Sequence, residues 1–169
     1  IDLKTQYNRI EEKIKHNINQ VLSHSKFIMG PEVFELEKKL AAFVNSKYCL
    51  SCSSGTDALL IPLMAKEIGP GDKIITTPFT YIATAEVIKL LRAEPVFVDI
   101  DSKTFNIDPN QLEDVLIDDK TDIKGIIPVN LFGLSADYDG INEIAKKHKL
   151  FVLEDAAQSF GATYKGQRS

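Results

Sequence analysis

Three short stretches of the chain carry residue types that could hold a small ligand with an anionic tail and a flat ring. In the first, Ser53-Ser54-Gly55-Thr56-Asp57-Ala58-Leu59, hydroxyls and a glycine stand directly before an apolar helical pattern. Free N–H groups at a helix start, with hydroxyls beside them and a glycine that permits close approach, make a phosphate cradle. A Ser or Thr there is also an ordinary helix cap, and on these residues alone the cap is the simpler account. The G-x-G-x-x-G spacing of a dinucleotide fingerprint is missing, as is the lysine of a P-loop. In the second stretch, Thr76-Thr77-Pro78-Phe79-Thr80-Tyr81-Ile82-Ala83-Thr84-Ala85, two aromatics crowd a strand-to-helix turn. They could stack on a planar ring or only plug the core at the turn. The third, Glu154-Asp155-Ala156-Ala157-Gln158-Ser159, puts a carboxylate at the end of an apolar strand, followed by two of the smallest side chains. A carboxylate at such a position is costly unless a protonated ring nitrogen, an arginine or a metal sits on it. An Asp that caps the following turn is the equal alternative.

The elements that must position these stretches follow from the apolar spacing. Tyr7, Ile10, Ile14, Ile18 and Val21 recur at helical intervals, and after a turn at Gly30 a second helix opens at Pro31 with the stripe Val33, Leu36, Leu40 and Phe43. From there short apolar strands alternate with helices. Strands are expected at Tyr48–Cys52, Ile74–Thr77, Pro95–Asp99, Gly125–Val129 and Leu150–Leu153. Helices are expected at Thr56–Glu67, Tyr81–Leu91, Pro109–Leu116 and Tyr138–His148. That alternation implies a largely parallel sheet with helices on both faces, and ligands of such sheets gather outside the carboxyl ends of the strands.

Composition narrows the classes of partner. The net charge of −4, with Lys and Arg spread along the chain, leaves no footprint for nucleic acid or an anionic membrane. No apolar run is long enough to span a bilayer, and the first residues lack the basic start and apolar stretch of a signal peptide, so a cytoplasmic protein is expected. Cys49 and Cys52 have C-x-x-C spacing. A zinc site needs two further ligands, however, and His16, His24 and His148 are scattered, so no metal is assigned.

In order and spacing, Ser54 to Leu59, Gly69-Pro70-Gly71-Asp72-Lys73-Ile74-Ile75, Thr77-Pro78-Phe79-Thr80-Tyr81, Pro95-Val96-Phe97-Val98-Asp99-Ile100-Asp101 and Glu154-Asp155-Ala156-Ala157-Gln158 resemble the DegT-type sugar aminotransferases. These are pyridoxal 5'-phosphate (PLP) enzymes of fold type I, and the resemblance covers essentially the whole chain. It implies an α/β three-layer sandwich with a mostly parallel sheet, cut short: residues 1–45 an N-terminal helical segment, 46–169 a partial PLP-binding large domain, and the small C-terminal domain absent. It also implies roles. Gly55 and Thr56, with Ser54 beside them, hold the phosphate; Tyr81 stacks on the ring; Asp155 pairs with the ring nitrogen; Gln158 reaches the phenolic oxygen.

The implied reaction is transamination of a keto sugar nucleotide with glutamate as donor, for surface polysaccharide or glycan assembly. The stretch from Thr76 to Val87 is most like enzymes that aminate C3 of a UDP-linked 2-acetamido keto sugar or uronate, with the 4-keto, 6-deoxy sugar enzymes close behind. Asn130, in Pro128-Val129-Asn130-Leu131-Phe132-Gly133, is a candidate for the substrate wall or merely satisfies loop backbone. The Schiff-base lysine of the family is expected beyond Ser169, and Lys165 does not occupy its place in the motif. The chain alone is therefore expected to bind PLP weakly and not to transaminate. A PLP-dependent sugar dehydratase, with histidine in place of that lysine, and a non-catalytic regulatory module on the same fold are the alternatives. Relatives lead to an expected homodimer.

Overall fold

The computed structural model describes residues 1–118 and 122–168. Two compact units are present, Ile1–Ser51 and Cys52–Ser169.

The first unit is a pair of helices, α1 (Leu3–His24) and α2 (Pro31–Phe43). Asp2 caps α1 by accepting from the Thr5 N–H at 3.0 Å, and Pro31 opens α2, where a missing N–H costs nothing. Between them Gly30 is forced: a Cβ there would lie 2.4 Å from the Lys26 carbonyl oxygen. The expected apolar stripes are in place, yet neither helix contains a buried residue.

In the second unit α3 (Gly55–Ala65), β1 (Lys73–Thr76), α4 (Ala83–Leu90), β2 (Glu94–Phe97), α5 (Pro109–Asp118), β3 (Ile123–Ile126), α6 (Tyr138–His148) and β4 (Phe151–Val152) follow one another. The four strands form one parallel sheet in the order β2-β1-β3-β4. Side chains alternate across it, as the period of two requires. Ile75 and Ile126 face one core with Leu112, Ile141 and Ile144 from α5 and α6. Ile74 and Ile127 face the other with Leu59, Leu63, Val87 and Ile88 from α3 and α4. Helices therefore cover both faces, the expected three layers. A short hairpin, β5 (Thr163–Tyr164) and β6 (Gln167–Arg168), closes the described chain. Its turn is Lys165-Gly166, both at positive φ. Among the described residues no helix is long and apolar enough to cross a membrane.

One expected strand does not form. Residues 48–52 have no ladder partner among the described residues, and Tyr48 and Leu50 are each 77% exposed. Strand propensity is a preference for a paired, half-buried surface and creates no strand by itself. The helix expected from Tyr81 begins at Ala83, because Tyr81 and Ile82 form its entry turn through 3₁₀-type bonds from Thr84 N and Ala85 N.

Packing between β3 and β4 leaves little slack. A Cβ on Gly125 would lie 2.4 to 2.6 Å from Phe151 ring atoms. Gly125→Ala is expected to cost about 1–3 kcal/mol in urea unfolding, part of it recovered when Phe151→Leu is added; an unchanged midpoint would contradict this packing.

The strand order has a consequence for ligand binding. The connection from β1 runs through α4 to β2 on one side of it, whereas β3 leads through α6 to β4 on the other side. The connections diverge on opposite faces, which opens a crevice at the carboxyl ends of β1 and β3.

Candidate functional site

Asp155 is carried to that crevice by the sheet itself. Beyond β4 the pairing continues as an isolated parallel bridge between Val129 and Asp155. Asp155 N donates to Pro128 O and Asn130 N donates to Asp155 O, both at 3.0 Å. The side chain is buried, 8% exposed. Its Oδ2 accepts from the Thr84 hydroxyl at 2.8 Å, and its Oδ1 from Ala157 N at 3.3 Å. Among the described residues no Lys, Arg or His pairs with it. A buried carboxylate with donors but no cation is suited to a ligand that brings a positive N–H.

Gly55 opens α3, the helix that precedes β1 and is joined to it by residues 66–72. α3 and α4 share one core, and α4 carries the Thr84 that bonds Asp155. α3 and Thr84 therefore belong to the same face of the sheet.

At the helix start the cap and the cradle coexist. Ser54 Oγ accepts from Asp57 N at 3.1 Å, the bond of an N-cap. The hydroxyls of Ser53 and Ser54 both donate to the Asp57 carboxylate and hold its pKa below the ordinary value, Ser53 more strongly. The N–H groups of Gly55 and Thr56 meet no acceptor among the described residues. A Cβ on Gly55 would have nothing within 4 Å. These are the orphan donors and open approach that an anion uses. Ser54→Ala is expected to lower stability by about 1 kcal/mol, read from thermal unfolding. The Asp57 contribution, a depressed carboxylate, is complete above its unfolded pKa and fades as pH falls through the folded one.

The two aromatics of the β1–α4 turn part company. Phe79 joins Phe105 and Phe132, with ring centroids 5.8 and 6.4 Å away, in a cluster of exposed aromatics. Tyr81 is 72% exposed and has no ring partner among the described residues. Gln158 is oriented by backbone: its Oε1 accepts from Phe132 N at 2.8 Å, which leaves both amide hydrogens for another acceptor.

Asn130 is fully buried and committed to protein partners. Its Oδ1 accepts from Ala136 N and the Tyr138 hydroxyl, each at 2.9 Å. Its Nδ2 donates to Glu154 Oε1 at 2.5 Å and to Ser159 Oγ at 3.0 Å. Burial, with the Glu154 charge added, pushes the Tyr138 phenol far above its ordinary pKa, so it remains a donor. These bonds tie the side chain to loop backbone at Ala136 and to the side chains of Tyr138, Glu154 and Ser159. Lys165 is paired with Asp139 on the hairpin turn. Sequence reasoning assigned no role to Thr84 or to the Phe132 N–H. Thr84 lay inside the hydroxyl-rich stretch that pointed to a site, whereas nothing in the residue type of Phe132 announces its backbone.

A model of the DegT/DnrJ/EryC1/StrS aminotransferase family matches residues 8–169. The chain belongs to that family. Among its relatives, the UDP-2-acetamido-2-deoxy-3-oxo-D-glucuronate aminotransferase of Pseudomonas aeruginosa is 58% identical over 169 residues, 100% of this chain and 46% of that protein. The pleiotropic regulatory protein of Geobacillus stearothermophilus is 47% identical over 167 residues, 99% of this chain and 44% of that protein. The crystal structure of NtdA from Bacillus subtilis with bound cofactor PMP matches with a TM-score of 0.88 at 36% identity, over 92% of this chain and 35% of that one. The α/β fold implied by the family resemblance is the fold found. The chain spans about half the length of the curated relatives it matches.

Proposed function

We propose that the chain supplies the cofactor site of a PLP-dependent aminotransferase that acts on a keto sugar nucleotide with glutamate as donor. The observation that carries this reading is the buried Asp155 carboxylate with no cation among the described residues, supported by the unpaired Gly55 and Thr56 N–H groups at the start of α3. When bound, PLP supplies an electron sink that draws in the electron pair released as a substrate C–H bond breaks. The residues here tune and hold that sink. Asp155 accepts the ring N–H and keeps the nitrogen protonated. Gly55 and Thr56 grip the phosphate at the positive end of α3, Tyr81 covers the ring face, and the free amide hydrogens of Gln158 meet the phenolic oxygen. The lysine that moves the substrate proton is assigned to no residue of this chain.

The substrate favoured is a UDP-linked 3-keto 2-acetamido sugar or uronate, the class named for the Pseudomonas relative; a homodimer in the cytoplasm is the setting proposed. The name of the Geobacillus relative supports a second reading, a regulatory module with a relic site. Full-length protein loaded with PLP and treated with glutamate is expected to yield 2-oxoglutarate equal to the bound cofactor. The keto sugar nucleotide then gains an amino group by mass spectrometry. A product that has lost a hydroxyl instead identifies a dehydratase, and no PLP uptake identifies the relic.

A further inference from the structure

Asp155 does not hold its orientation alone. Thr84, in the first turn of α4, is 1% exposed, and its hydroxyl reaches Asp155 Oδ2 at 2.8 Å. Thr80, four residues earlier in the bend before α4, lies 3.2 Å from the same hydroxyl. A hydroxyl has one hydrogen, and an ionised carboxylate only accepts. Thr84 therefore donates to Asp155, and its own oxygen is left to accept from Thr80. The chain of bonds runs in one direction, from the half-buried Thr80 to the buried carboxylate. It secures Oδ2 and leaves Oδ1, which has only the longer bond from Ala157 N at 3.3 Å, as the oxygen with spare acceptor capacity.

We propose that Thr84 is a positioning residue for the cofactor: its hydroxyl, itself set by Thr80, locks one oxygen of Asp155 so that the other faces the pyridine N–H. This rests on the PLP reading above. A β-branched residue suits the role, because in a helix it has few χ1 states and its hydroxyl can be fixed by its neighbours. Nothing else among the described residues bonds Oδ2, so losing the hydroxyl frees the carboxylate to rotate.

The test uses the full-length protein with PLP and with its 1-deaza analogue, in which carbon replaces the ring nitrogen. Thr84→Val keeps the shape and removes the hydroxyl. It is expected to weaken PLP roughly tenfold to a hundredfold, the range for a lost bond to a charged group, and to leave the deaza analogue within about twofold. Thr84→Ser restores the hydroxyl and is expected to restore PLP binding; Thr84→Ala replaces the valine variant if that one does not fold. Equal losses for both ligands, or PLP binding unchanged while Asp155→Ala weakens it, would overturn the positioning role and leave the cofactor reading standing. If Asp155→Ala itself leaves PLP binding unchanged, the cofactor reading falls, and the role of Thr84 falls with it.

Discussion

Asp155→Ala is expected to weaken PLP binding roughly tenfold to a hundredfold while leaving the fold near its original stability. The two effects differ because the carboxylate does different things in the two states. With cofactor bound, it makes a charge-assisted bond to the ring nitrogen, worth about 1.5–3 kcal/mol. Without it, the same group is 8% exposed and has donors but no cation among the described residues, so its burial is a cost that alanine removes. The Thr84 hydroxyl left behind can turn to a backbone carbonyl in the turn that precedes its helix. Paired titrations of PLP and of urea check both halves. A variant that binds PLP like the parent, or one that loses several kcal/mol of stability, would show that Asp155 is a structural cap.

Asn130→Ala is expected to have the largest effect on stability, about 3–4 kcal/mol in urea unfolding. The side chain bridges the loop after β3 to the segment after β4. Its removal strands Ala136 N, the Tyr138 hydroxyl and Ser159 Oγ, all bonded to it now. Each orphaned buried group costs about 1–3 kcal/mol, part of it offset by water or rearrangement. Asn130→Asp is worse than neutral, since Nδ2 now sits 2.5 Å from a Glu154 oxygen and a second carboxylate there meets like charge. A variant that folds as well as the parent but takes its sugar substrate with a raised KM would return Asn130 to the pocket wall.

Where residue type determines local structure, the chain was readable in advance. Apolar periodicity located α1 and α2, because an amphipathic helix needs only its own spacing to be recognised, and caps and breakers located the α-helices between the strands. The central strand, expected at Ile74–Thr77 and found at Lys73–Thr76, was equally legible. Residues 48–52 also read as a strand but have no ladder partner among the described residues, and pairing is a property of two segments, which one segment cannot display. The site divides along the same line. Ser54, Gly55 and Asp155 announce themselves because hydroxyl, glycine and carboxylate are unusual at strand and helix ends. The contest between cap and cradle at Ser54 could not be resolved from spacing, since the structure has it capping α3 while its neighbours keep free N–H groups. Asn130 and Gln158 depended on partners 24 and 26 residues away, Glu154 and Phe132, beyond the reach of any local pattern.

The proposed PLP site spans from the start of α3 to Asp155. A crystal structure of the full-length protein soaked with PLP tests it most directly. The expected result has phosphate oxygens on the Gly55 and Thr56 N–H groups and the ring nitrogen about 2.7–2.9 Å from an Asp155 oxygen. A cofactor whose phosphate lies elsewhere, or whose ring nitrogen faces water, would contradict it.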